Sequence, residues 1–241
     1  MESLTNLLAE PRFVCRRDRD QATSNLSASE FSALQPSSLR PLAPVPAWVG
    51  KQAREGLWWF SGIEQHVTFA STWERDVLVL LDYLGDVVDA VRDPVIILPS
   101  RGSEDPPLRP WLMVRRTGGD LILAVRRSDQ SRATAVARTF GQASLDLAIP
   151  TLPPDRDMQV LRWLAGYRFT RFRLPPDAEQ VVRDACSIAR TLAWTVATVA
   201  SATGYDQSIV RGNVFAQLWL RTIALVDTGR RLSNSSLVCA S

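Results

Sequence analysis

The sequence predicts a mixed α/β (α+β) fold followed by a mainly helical C-terminal module. Three observations carry this. A capped apolar helix stands among β-branched runs in the first half of the chain. A Gly-Gly turn separates two short apolar runs near the middle. Past residue 173, helical periodicity replaces strand-like patterns. A chain of 241 residues holds one large domain, or a medium domain with an appendage.

Residues 1–40 are rich in Ser, Ala and Pro, as in "ATSNLSASEFSALQPSSLRPLAPVP", and a weakly structured segment is expected there. A core domain is expected over 41–173 and a helical or winged-helix-like region over 174–241. "GLWWFSG" and "QHVTFAS" flank Gly62 as a hairpin. "STWERDVLVLLDYL" (71–84) is the clearest helix. Ser71 and Glu74 fit a capping box, and Val77, Leu78, Leu80, Leu81 and Leu84 form a stripe. "VVDAV" and "VIILP" read as strands. In "PLRPWLMVRRTGGDLILAVRR" (107–127) two strands pair across Thr-Gly-Gly. "QSRATAVARTFGQAS" is helical, "DLAIPTLP" a strand, and "DMQVLRWLAGYR" a helix ending at Gly166.

In the C-terminal region, Val181, Val182, Ala185, Ile188, Ala189, Leu192, Val196 and Val199 predict one long amphipathic helix over 178–202. "SIVRGNVFAQLWLRTIALVD" reads as a helix running into a strand, "TGRR" as a turn and "LSNSSLV" as a partner strand. Helix, helix and hairpin suit a winged-helix-like module, and a purely structural helical appendage suits them equally.

Net charge is +3 and the pI near 9.0, compatible with nucleic acid as partner. Lys51 is the one lysine, so 27 of the 28 basic residues are arginine and any role needing lysine falls to Lys51. Cys15, Cys186 and Cys239 are odd in number and widely spaced. They imply neither a disulfide framework nor a CxxC metal site, and a reducing cytoplasm is expected. No apolar leader core or membrane span is expected: the most apolar window, 185–202, holds Arg190 and several hydroxyl residues.

"WERDVLVLLDYLGDVV" (73–88) resembles the S-x-x-E-R-D-x-L-L-L-L-D-F-D-P-x-V segment of TnsA-like transposase endonuclease subunits. "VLRWLAGYRFTR" (160–171) is similar to that family's later W-L-x-G-Y-R segment, and "WWFSG" and "FAQLWL" sit where it has similar residues. The resemblance spans about residues 40–238. It implies a restriction-endonuclease-like PD-(D/E)xK core, Mg²⁺-dependent DNA cleavage, and an integrase-type transposase as partner. Mg²⁺ requires several hard oxygen ligands, supplied in such a fold by one helix carboxylate and two on the hairpin, beside a basic residue. Carried over by position, the helix carboxylate is Glu74. The proline–aspartate pair falls on Pro110 and Trp111, and the acidic-x-basic element on Ala124, Val125 and Arg126.

Two of the three carboxylates are therefore replaced by side chains with no oxygen. Glu74 and Arg126 remain as the catalytic remnants. The expectation is a degenerate member that uses no cofactor and binds duplex DNA, a transposase partner or both. In the alternative of an active enzyme, Glu74 ligates Mg²⁺ with relocated acids such as Glu104 and Asp105. Asp120 and Asp129 stand further from the expected positions. A third reading is a protein–protein adaptor with no DNA role. The pairs Arg115/Arg116, Arg126/Arg127 and Arg230/Arg231 are the candidate phosphate contacts, or else a solvated face. Strand alternation sends only one of each strand-borne pair toward DNA. His66 reads as packing.

Overall fold

The computed structural model describes residues 11–17, 22–42, 55–100, 104–138, 140, 145–226 and 231–241. Lys51 and Arg230 lie outside the described residues. The fold is mixed α/β, with several sheets and seven α-helices among the described residues. No helix there is long and apolar enough to cross a membrane. The chain divides into two compact units. The first comprises Met1–Arg75 and Asp86–Thr151, the second Asp76–Gly85 and Leu152–Ser241.

In the first unit, β1 (Arg12–Arg17) pairs antiparallel with β2 (Thr23–Leu26), β3 (Leu39–Arg40) and the later β7 (Val95–Leu98). This corrects the expectation of a weakly structured 1–40, as far as that segment is described. Phe13 and Cys15 alternate onto one face of β1 and are fully buried, and Phe13 stacks on Phe31 at 4.9 Å. Helix α1 (Ala28–Ser32) starts on a capping box: the Glu30 amide donates to Ser27 Oγ, and the Ser27 amide donates to the Glu30 carboxylate. A Ser/Ala-rich composition thus conceals an alternating strand and a capped helix.

Strands β4 (Gly56–Phe60) and β5 (Gln65–Phe69) form the expected hairpin. Helix α2 (Thr72–Leu84) follows and is shared between the two units. Strand β6 (Val87–Arg92) precedes β7. A four-stranded sheet then runs in the order β10-β9-β8-β6, with β8 Leu112–Arg116, β9 Leu121–Ala124 and β10 Leu145–Ala148. Strands β6, β8 and β9 are antiparallel, and β10 lies parallel to β9 after the crossover helix α3 (Gln130–Ala137).

The β8–β9 hairpin forms as its sequence predicts. Gly119 takes φ of +91°, and the Gly119 amide donates to the Arg116 carbonyl, so the turn uses a conformation open chiefly to glycine. Met113, Leu121, Leu123 and Val125 join Phe13, Phe31 and Phe140 in one buried cluster. Leu112 and Val114 are buried on the opposite face, so β8 is covered on both sides.

The second unit begins at Leu152, not near 174 as the composition shift suggests, and it includes the rear of α2. The physical reason is pairing. Arg162 on α4 (Asp155–Leu164) makes two hydrogen bonds to Asp76, at 2.9 and 2.6 Å, and Trp163 and Tyr167 pack on Phe215. Asp76 and Asp82 are accordingly buried on α2 alongside its apolar stripe; Asp82 stands 3.7 Å from Arg168.

The long helix expected over 178–202 is two helices, α5 (Pro176–Ala185) and α6 (Leu192–Thr203). Between them Ile188 is 64% exposed, and Arg190–Thr191 forms the short strand β11. Thr191 Oγ1 accepts from the Trp194 amide and caps α6. The apolar phase of α6 happens to continue that of α5, which hides the break. Helix α7 (Gln207–Trp219) leads into β12 (Ile223–Leu225), and β13 (Leu237–Ala240) lies between β11 and β12. The element order is helix, strand, helix, helix, strand, strand.

Candidate functional site

The site lies within the first unit, where the sequence places Glu74, Trp111, Ala124 and Arg126. Backbone pairing brings three strand ends together. The Trp111 amide donates to the Ala124 carbonyl at 2.9 Å, and the Asp93 amide donates to the Trp111 carbonyl at 2.9 Å. The end of β6, the start of β8 and the end of β9 thus share one edge of the sheet. The first turn of α2 supplies Glu74.

Glu74 is 2% exposed and fully engaged. Its amide donates to Ser71 Oγ at 3.1 Å, and one carboxylate oxygen accepts the Ala70 amide at 2.7 Å. The capping box is present with one shift: the glutamate reaches Ala70 and not Ser71. The other oxygen accepts from Arg126 Nη2 at 2.8 Å, and Arg92 stands 3.7 Å away. Arg126 is 41% exposed, so its guanidinium covers the buried carboxylate from the solvent side.

Arg92 and Asp93 complete the cluster and were not singled out in the sequence. Arg92 is 5% exposed and pairs with Asp93 at 2.5 Å. Asp93 takes φ of +45°, a left-handed conformation that non-glycine residues seldom adopt. Burial raises its carboxyl above the usual range, against the opposing pull of Arg92 and Arg126. The available signal was an Arg-Asp-Pro step between two apolar runs.

The two positions where the resemblance leads one to expect carboxylates are closed. Trp111 is fully buried and meets Trp73 edge to face at 5.8 Å. Its indole N–H has no partner among the described residues. Ala124 is 2% exposed. Glu104 and Asp105 are exposed on the stretch before Leu108, and Asp129 pairs with Arg132 at 2.9 Å. Among the described residues, no group of three His, Cys, Asp or Glu side chains is placed to hold a metal ion. The arrangement is two acids against two arginines. It can anchor the helix start and present cationic nitrogen to an anion. Its two carboxylates, both committed to arginine, offer a metal ion too few oxygens.

Of the arginine pairs, only Arg115/Arg116 stands on a strand among the described residues, β8, and both of its members are engaged within the fold. Arg115 donates to the carbonyls of Ser32, Leu34 and Gly119 at 2.9, 2.7 and 2.8 Å, so this predicted phosphate contact faces inward. Arg116 pairs with Asp86 at 3.0 Å. Arg127 is exposed in a 3₁₀ turn directly after Arg126. Arg231 is exposed in the second unit. His66 is exposed and packs on Trp59, with ring centroids 4.8 Å apart.

In comparison with known proteins, no family model matches this chain and no curated protein matches it.

Proposed function

We propose that the protein is a degenerate relative of TnsA-like endonuclease subunits, which binds duplex DNA beside a transposase partner without cutting it. The observation that carries this reading is the Arg126–Glu74 pair at 2.8 Å, set at a strand edge whose other two expected carboxylates are Trp111 and Ala124. The guanidinium holds the one remaining ligand. The order helix, strand, strand, strand, helix, strand around the mixed sheet supports a nuclease-type core, with β10 parallel to β9. After α4, the second unit continues helix, strand, helix, helix, strand, strand (α5, β11, α6, α7, β12, β13), an order that supports a winged-helix-like DNA-binding module.

Duplex recognition then rests on exposed arginines, with Arg127 and Arg231 carrying phosphate contacts and Arg115 serving structure. Electrostatic binding of this kind weakens steeply with salt.

The test is a gel shift with labelled duplex at low salt, run beside a cleavage assay with Mg²⁺ or Mn²⁺. A salt-sensitive shift without cleavage is expected. Cleavage that disappears in Glu74→Ala would establish the active-endonuclease reading with relocated acids. Absence of any shift at low salt would establish the adaptor reading.

A further inference from the structure

The second unit contains a cavity of about 440 Å³, within the size range of small-ligand sites, ~300–1,000 Å³. Its chemistry is one-sided. Arg156 on α4, Arg211 on α7 and Arg231 line it, and among the described residues no acidic side chain does. Arg211 donates to Asn234 at 3.2 Å, which links the α7 side of the cavity to the segment before β13.

The apolar wall is aromatic. Trp163 meets Phe215 edge to face with centroids 4.3 Å apart and an interplanar angle of 78°. Tyr167 holds it from another side at 4.9 Å. Two aromatic contacts fix the indole, yet Trp163 stays 44% exposed. A rigid, half-exposed indole beside three guanidinium forks suits a ligand with a flat apolar ring and an anionic group. Arginine's planar donors match phosphate oxygens, and an indole face stacks on any nucleobase.

We propose that this cavity binds one nucleoside phosphate, its base against Trp163 and its phosphate among Arg156, Arg211 and Arg231. The inference rests on the cavity and not on duplex binding. A free nucleotide and one nucleotide unit of a single strand share this chemistry, and the test separates them.

The full chain is titrated into fluorescein-labelled oligo(dT), followed by anisotropy, with dTMP, inorganic phosphate, an acidic peptide and unlabelled duplex as competitors. A parallel titration follows dTMP by calorimetry. The expected result is oligo(dT) binding that dTMP competes away far better than inorganic phosphate does. Trp163→Leu should weaken it about 5- to 150-fold, the range set by stacking a base on an aromatic side chain. Trp163→Phe should restore most of the loss, because a phenyl ring still stacks and still packs on Phe215. Arg156→Gln and Arg231→Gln, both at exposed positions, should each weaken binding, and Arg231→Gln should do so without a change in melting temperature. If dTMP binds by calorimetry as tightly as oligo(dT) binds by anisotropy, the source is a free nucleotide; if oligo(dT) binds far more tightly than dTMP, it is a single strand. Three outcomes overturn the proposal: inorganic phosphate competing as well as dTMP, the acidic peptide competing where dTMP does not, or oligo(dT) binding that persists in Trp163→Leu and Arg231→Gln. Loss of oligo(dT) binding in Trp163→Leu, a residue with no part in the duplex contacts, with an intact duplex gel shift separates this site from the duplex-binding reading.

Discussion

Glu74→Ala separates a structural anchor from a ligand held for a metal. In the folded chain the carboxylate satisfies the Ala70 amide at 2.7 Å and faces Arg126 at 2.8 Å and Arg92 at 3.7 Å. Removing it leaves the Ala70 N–H without its acceptor, at about 1–3 kcal/mol for a buried donor. Breaking a buried ion pair costs about 3–5 kcal/mol. Two features lower that figure: Arg126 is 41% exposed and rehydrates, and Arg92 keeps Asp93 at 2.5 Å. Glu74→Ala is therefore expected to lose about 3 kcal/mol. At ~2–4 °C per kcal/mol for a chain of this size, the melting temperature falls roughly 6–12 °C. Glu74→Gln keeps an oxygen for the Ala70 amide and should lose about half as much. Calorimetric or circular-dichroism melts of the three proteins, in chelator, provide the assay. A melting temperature unchanged within about 1 °C, or raised, would refute the reasoning. A rise would mean that the carboxylate is held at a cost in stability, as expected of an acid reserved for a cation.

Further predictions concern both units. Glu179 is 4% exposed and accepts from Arg173 and Asn213, so Glu179→Ala should destabilise the chain by about 2–4 kcal/mol, read as a lower urea midpoint. The Arg173 pairing holds the Glu179 carboxyl below its ordinary 4.5; its stabilisation is complete above that pH and lost as the pH falls through the lower, folded value. An acid titration of stability in which Glu179→Gln behaves like the parent would contradict this. Burial pushes the Cys186 thiol from 9.0 to about 11, so the unfolded thiol ionises first and stability falls as the pH rises between those values, whereas Cys186→Ala should flatten that fall. At pH 8 a maleimide should modify half-buried Cys239 and spare buried Cys15 and Cys186 in the folded chain; equal labelling of all three would argue against the buried placement. Arg115→Ala should lower the melting temperature and Arg127→Ala should weaken duplex binding alone, and the reverse pattern in melts and gel shifts would misassign both.

Much of this fold is legible because its signals are local. The β8–β9 hairpin declares itself through two apolar runs and a glycine turn. Helix α2 declares itself through Ser71, Glu74 and the apolar run behind them. What is hidden depends on pairing between distant residues. Arg92 and Asp93 join the site only because β6 pairs with β8, placing Arg92 opposite Leu112 and the Asp93 amide on the Trp111 carbonyl. The break at 187–191 is hidden because two helices share one apolar phase, and its strand is defined by Leu237 and Val238 nearly fifty residues later. The burial of Asp76 likewise depends on Arg162, far along the chain.

The same non-local placement gives the candidate site its character. Glu74 and Asp93 face Arg92 and Arg126, and Arg109 also acts on Asp93, so both carboxylates are already matched by guanidinium charge. A divalent cation entering there would have to displace at least one guanidinium and would still find only two carboxylates. Mg²⁺ gives up its water reluctantly, and two oxygen-bearing side chains already committed to arginine compensate it poorly. Trp111 and Ala124 also bear on this. They close the sheet edge with apolar packing, while Arg126 occupies the remaining carboxylate and leaves Arg127 at the exposed rim. On this reasoning, placing Asp at 111 or Glu at 124 alone should not produce a metal site. Trp111→Asp would bury a carboxylate beside Trp73 and cost stability, and metal binding would also require Arg126 to release Glu74.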